Sequence, residues 1–196
     1  MHPLDYKYSV VDLLPPLTAI AFFLVRIVEM AIRGRGVHGR VTAPFTLAAM
    51  IASGTLLLVC GCLEYYWRGG HFIGTLYAAG LLAGVSSFCL RAWAARALGR
   101  FWSMQIELRA DQPLVTTGPY AWVRHPIYSA SLLEALTVIL LCQAAWTVIP
   151  AVLVFVPVLL LRLRLEEKAM VGHFGHAYSS YMLNVPAILP VRFPRR

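Results

Sequence analysis

From Ile127 to Leu161 the chain carries one charged side chain, Glu134, and its two apolar runs, about Ile127 to Leu141 and Trp146 to Leu161, are separated only by Cys142-Gln-Ala-Ala. A helix made from either run has no polar face to give to water, so it belongs in a membrane or in a very large core. Three more apolar segments precede it, about Leu13 to Ile32, Pro44 to Trp67 and Phe72 to Leu90, the last able to continue helically to Leu98. A hydrocarbon core about 30 Å thick needs roughly 20 such residues per crossing. With 59% hydrophobic and 13% charged residues in 196, a water-soluble globule is excluded. The expected fold class is all-α: a multi-pass transmembrane helical protein of about five helices, the last two forming a tight helical hairpin. At about 15 residues per arm that hairpin barely spans, and Pro150 and Pro157 are expected to bend its second arm.

Small residues in the second segment (Ala48, Ala49, Ala52, Ser53, Gly54) and the third (Gly74, Gly80, Gly84) permit close helix approach. Tyr65, Tyr66 and Trp67 fit an interfacial aromatic belt. The first segment tolerates Pro15 and Pro16 in its first turn. Its preceding Met-His-Pro-Leu-Asp-Tyr-Lys is no basic leader, so the helix is expected to be retained.

The net charge of +8 forms no basic stripe; the arginines lie in the gaps between apolar runs, which argues against nucleic acid. Three lie between 33 and 40, five between 91 and 126, and six Lys or Arg between 162 and 196. The positive-inside rule then places the N-terminus outside and the C-terminus in the cytosol. On this reading Arg91 and its neighbours reach lipid headgroups, Arg26 and Glu29 form a structural pair at i,i+3, and Glu134 finds a partner inside the bundle. Cys60, Cys62, Cys89 and Cys142 lack metal or redox spacing and read as buried inert thiols; no metal is expected. After Gly172 a short interfacial helix and an extended basic end are expected.

Residues 98–128 form the longest interval that cannot be a membrane helix, and they concentrate aromatic and ionisable groups. The chain is accordingly divided into membrane helices at 1–97 and a functional region at 98–196. Gly118-Pro119 reads as a turn, and His125-Pro126 as the start of the fourth helix. Tyr120, Trp122 and Tyr128 bracket that corner, able to stack on a flat heterocycle or face a cation. Arg162 and Glu166, four apart, share one helix face. As a surface pair they would contribute only about a few tenths of a kcal/mol, whereas a cationic fork beside a carboxylate can hold an anion and an ammonium. Phosphate-loop, dinucleotide-fold, zincin and serine-hydrolase motifs are absent.

The succession Gln105, Leu114-Val-Thr-Thr-Gly118-Pro-Tyr-Ala-Trp-Val-Arg124-His-Pro-Ile-Tyr128, a hairpin, Arg162-x-x-x-Glu166-Glu167 and Phe174-Gly-x-x-Tyr178-x-x-Tyr181 resembles the isoprenylcysteine carboxyl methyltransferase family over about residues 98–190. The resemblance implies an integral membrane enzyme that takes S-adenosyl-L-methionine from the cytosol and methylates a carboxylate of a lipophilic, isoprenoid-like acceptor entering from the bilayer. It implies cofactor contacts at Gln105, Gln112, Pro113, Leu114, Val115, Tyr120, His125, Pro126, Ile127, Tyr128 and Glu166. Arg162 would orient the acceptor, so that Arg162 and Glu166 are the catalytic candidates, while Arg124 and Glu167 could brace the site. Gln112 stands where the family usually has histidine. The chemistry needs no triad, because a carboxylate is already ionised near neutral pH. Methylation of a lipid amine or thiol, an NADPH-dependent membrane reductase resembling sterol reductases, and a non-enzymatic membrane scaffold are the alternatives.

Overall fold

The computed structural model describes residues 9–33 and 40–190, and six helices account for most of them. The acidic, proline-containing N-terminus (1–8), the 34–39 gap with Arg35, and the basic end (191–196) lie outside the described residues. Helix α1 (Val10–Arg33) begins three residues before the expected Leu13 because of its cap. Ser9 Oγ accepts from the Val11 N–H at 3.3 Å and Asp12 Oδ2 accepts from the Ser9 N–H at 2.9 Å. This places Pro15 and Pro16 in the second turn, not the first. Pro16 cannot donate to the Asp12 carbonyl; the Tyr65 hydroxyl donates there instead, at 2.8 Å, and also meets the Gly70 carbonyl at 2.9 Å. Tyr65 is therefore a buried brace and not a belt residue, whereas Trp67 is 80% exposed.

Helices α2 (Phe45–Trp67) and α3 (Gly74–Leu98) follow the apolar pattern. Arg91, expected among headgroups, is instead 3% exposed, its guanidinium 2.6 Å from Glu134 on α4 (Pro126–Leu141). The close packing of α3 on α4 requires Gly80: a Cβ there would stand 2.8 Å from Leu141 Cδ2 and 3.0 Å from the Leu141 backbone nitrogen. Arg91 also lies 3.9 Å from Glu29, and Arg26 lies 3.4 Å from Glu29 and 4.0 Å from Glu134. The expected Arg26–Glu29 pair is thus half of a four-charge network tying α1, α3 and α4.

The hairpin departs from expectation in its second arm. Helix α4 is short, at 16 residues, but α5 (Val148–Phe174) runs 27 and carries Arg162 to Glu166 in its interior, not at its end. Nothing at 162–168 stops a helix, since Arg, Leu, Glu and Lys are good helix formers; Gly175, at φ +56°, does. Between the two prolines the chain makes a π-helical turn, Ala151–Phe155, containing the Leu153 carbonyl from which Pro157 withholds an N–H. The start of α5 is held by buried Glu64 of α2, whose carboxylate accepts from the Trp146 and Thr147 N–H groups at 2.9 and 2.8 Å and from Thr147 Oγ1 at 2.9 Å. Helix α6 (His176–Asn184) is the expected short helix.

Among the described residues four helices, α1, α2, α3 and α5, are long and apolar enough to cross a membrane, and α4 is shorter. An antiparallel ribbon, unforeseen in an all-helical reading, pairs β1 (Arg40–Thr42) with β2 (Ile106–Leu108), Val41 opposite Glu107. All four cysteines are free thiols; Cys142 is buried, but Cys89 is exposed.

Candidate active site

The site is assembled at the corner before α4. Gly118, at φ +62°, occupies the left-handed region that glycine enters without steric cost. Pro119 follows it into a single 3₁₀ turn, Gly118–Ala121. That turn sends Tyr120 inward and leaves Trp122 on the surface at 67% exposure, so the three bracketing aromatics separate: Tyr120 and Tyr128 are buried and Trp122 faces out. Pro126 keeps His125 out of the helix. The Arg124 and His125 N–H groups donate to the carbonyls of Pro186 and Ala187, both at 2.9 Å, fastening the chain beyond α6 against the corner.

Two sets of contacts carry this corner to α5. In the first, Glu167 Oε1 accepts from Arg124 Nε at 3.0 Å and NH2 at 2.7 Å, and lies 3.1 Å from His125 Nε2. Arg124 NH1 donates to the carbonyls of Met182, at 3.0 Å, and Val185, so one guanidinium joins corner, α5 and α6. In the second, the Tyr128 hydroxyl donates to Glu166 Oε2 and accepts from Arg162 Nε at 3.1 Å. Arg162 NH1 donates to Thr46 Oγ1 at 2.9 Å and NH2 to the Met104 carbonyl. Arg162 is 6% exposed, and it meets Glu166 through the phenol, not directly. Glu166, by contrast, is 32% exposed at its side chain, its Oε1 standing 3.9 Å from His125 Nδ1.

These groups face a cavity of about 140 Å³ between the corner, the 98–115 segment, α2 and α5. Gln105, Gln112, Pro113, Leu114, Val115, Tyr120, His125, Pro126, Ile127, Tyr128, Arg162 and Glu166 all line it, so the residues singled out in the sequence are brought together around one space. Gln105 Oε1 is buried there without a protein partner, which leaves an acceptor for a bound molecule. Gln112 closes a turn, its N–H donating to the Arg109 carbonyl at 3.1 Å and its Oε1 accepting from the Arg109 N–H at 3.4 Å. Tyr178 and Tyr181 of α6 complete the wall, and Tyr181 donates to the Tyr120 carbonyl at 2.5 Å. Burial raises all three phenols: Tyr120 and Tyr178 well upward, reinforced by the negative charge of Glu166 or Glu167, and Tyr181 to about 12. They remain neutral rings and donors at any physiological pH.

Sequence reasoning missed Thr46 and Met104. Neither has a motif; both enter because the ribbon and the start of α2 are folded against Arg162. A second, mostly apolar cavity adjoins the first between α1, α2, α4 and α5, lined among others by Phe23, Ile27, Met30, Leu57 and Phe155. Arg26, Leu47, Met50 and Ser131 belong to both walls.

The fold and site define a helical membrane protein whose cavity, lined by charged and aromatic side chains, shares four wall residues with an apolar groove. Residues 80–172 match the isoprenylcysteine carboxyl methyltransferase (ICMT) family. The protein-S-isoprenylcysteine O-methyltransferase of Rattus norvegicus is 34% identical over 130 residues, 64% of this chain and 45% of the rat protein. The uncharacterized protein YpbQ of Bacillus subtilis (strain 168) is 37% identical over 81 residues, 41% of this chain and 48% of that protein. The chain thus spans about half the length of these two relatives. Protein-S-isoprenylcysteine O-methyltransferase B of Arabidopsis thaliana is 29% identical over 182 residues, 88% of this chain and 89% of the plant protein.

Proposed function

We propose that this protein is an S-adenosylmethionine-dependent methyltransferase that esterifies the carboxylate of a lipophilic, isoprenoid-like acceptor. One observation carries the reading: a buried arginine and a partly exposed glutamate are fixed on either side of a single phenol, in a cavity that adjoins an apolar groove. S-adenosylmethionine, when bound, supplies an electrophilic methyl on a sulfonium. The residues suit its parts. Glu166 Oε1 is available to an ammonium, Gln105 Oε1 needs a donor, and Tyr120 and Tyr178 offer neutral rings.

Arg162 has each nitrogen engaged once by protein, which leaves two of its five N–H groups for an acceptor carboxylate and fixes their direction. An always-charged guanidinium orients that carboxylate without protonating it. The carboxylate is ionised near neutral pH, so no base is needed, and apolar walls strip water from the attacking oxygen. Arg124, bonded to Glu167, holds the corner and α5 in register. The protein's contribution is positioning and desolvation.

The excess of arginine in the gaps around the cavity supports placing it on the cytosolic face, where the methyl donor is available. Calorimetry on the purified protein should detect S-adenosylhomocysteine and little or no NADPH; the reverse result would replace the reading with a reductase. Incubation with labelled S-adenosylmethionine and a membrane lipid extract should then label an acidic lipid. Label on an amine or thiol would overturn the assigned acceptor.

A further inference from the structure

The four-charge network of α1, α3 and α4 divides its bonds unequally. Arg91 stands 2.6 Å from Glu134 and 3.9 Å from Glu29, whereas Arg26 reaches the same carboxylates only at 4.0 and 3.4 Å. Arg26 makes one hydrogen bond, to Glu29, so most of its five N–H donors are uncommitted, and Glu134, its second carboxylate, is held more closely by Arg91. Its position gives this meaning. Among the described residues it is the one charged side chain on the walls of both the site cavity and the apolar groove.

A molecule with its hydrocarbon in the groove and its head in the cavity must pass or touch it. We propose that Arg26 is a specificity-determining residue that reads the anionic head of the lipophilic acceptor where groove meets cavity, an inference that rests on the carboxyl methyltransferase reading above. Arg162 is unsuited to that task alone, because its contacts to Thr46, Met104 and Tyr128 hold it in one place at the reacting end. A weakly paired guanidinium in a low-dielectric wall gains most from an incoming anion. It gains nothing from a neutral amide of the same shape beyond an ordinary hydrogen bond.

The reaction itself gives the contact a direction. The acceptor oxygen forms a bond to the methyl carbon while the carbon–sulfur bond breaks and its electron pair stays on sulfur. Carboxylate and sulfonium charges cancel together. The ester has no charge for Arg26, so the residue holds substrate and lets product go.

The test uses purified protein in lipid nanodiscs without methyl donor, with S-farnesyl-N-acetylcysteine and its carboxamide as probes. Wild type should bind the acid about tenfold more tightly than the amide. Arg26→Gln should bring the two affinities to within about twofold, and Arg26→Lys should restore part of the preference. Binding of S-adenosylhomocysteine should be the same in all three, which reports an intact site. An acid preference unchanged in Arg26→Gln overturns the proposal while leaving the methyltransferase reading in place. A fall for acid and amide alike assigns Arg26 to the helix packing only, and also overturns it. If wild type binds neither S-adenosylhomocysteine nor the acid, both readings fall.

Discussion

Arg91 and Arg162 are both buried arginines on long helices, yet Arg91 faces two carboxylates while Arg162 is bound by a phenol, a threonine hydroxyl and a backbone carbonyl. In the first region Arg91 and Arg26 each meet Glu134 and Glu29, so α1, α3 and α4 are tied together by direct pairs of opposite charge. In the second, positive and negative charge are held apart by the neutral oxygen of Tyr128, and neither cancels the other at contact. Direct pairing suits a brace, because a buried charge without a partner is costly. Separation suits a binding site, because the remaining capacity of each group is available to something that arrives.

The comparison breaks most visibly at Arg91. Arg91→Ala removes the nearer cation from Glu134 and leaves Arg26 as the remaining partner of both carboxylates; it is expected to cost about 3 kcal/mol, seen as the largest drop in thermal unfolding temperature among the variants discussed. A smaller drop than that of Arg162→Ala would reverse the assignment of brace and site. Next come the two site residues, which should separate in kinetics. Arg162→Ala should lower kcat/KM for the acceptor by about 100-fold with S-adenosylhomocysteine affinity nearly unchanged, and Glu166→Gln should weaken S-adenosylhomocysteine about tenfold. If both variants lost cofactor binding equally, the two roles would not be distinct.

A gentler change sharpens the contrast. Tyr128→Phe keeps the ring stacked on His125 but removes the oxygen between Arg162 and Glu166. It should reduce kcat/KM about tenfold while costing about 1 kcal/mol in stability, as measured by turnover and chemical unfolding on the same preparation. The smallest expected effect lies in pH. Tyr181, raised by burial to about 12, keeps its proton in the folded state where the unfolded chain, near 10, has lost it. Its contribution is therefore intact below about pH 10 and declines as pH rises toward 12. Tyr181→Phe should make that decline shallower in an alkaline unfolding series, Tyr120 and Tyr178 supplying the remainder, at the expense of the bond to the Tyr120 carbonyl.

The candidate site was more legible than the bundle around it. Gly118, Pro119 and Pro126 announce a turn and a helix start whatever surrounds them, since φ restriction is a property of the residue. The i,i+4 spacing of Arg162 and Glu166 placed them on one face, although the sequence reading ended the helix there and the protein does not. Arg91 was misplaced for a related reason. An arginine at the end of an apolar run looks the same whether it reaches headgroups or a carboxylate 43 residues away. Tyr65 likewise has belt composition but fills the vacancy left by Pro16, a partnership no local pattern records.

What the sequence determined by itself was the medium and the local geometry: apolar runs of membrane length, the turn before α4, and which residues share a helix face. These follow from periodicity and from allowed backbone angles, and both act within a few residues. Tertiary structure decided the partners: Glu134 for Arg91, Thr46 and Met104 for Arg162, and the Tyr128 hydroxyl between Arg162 and Glu166. A buried polar group must find a complement somewhere in the molecule, and only the packing of helices distant in sequence determines which one it meets.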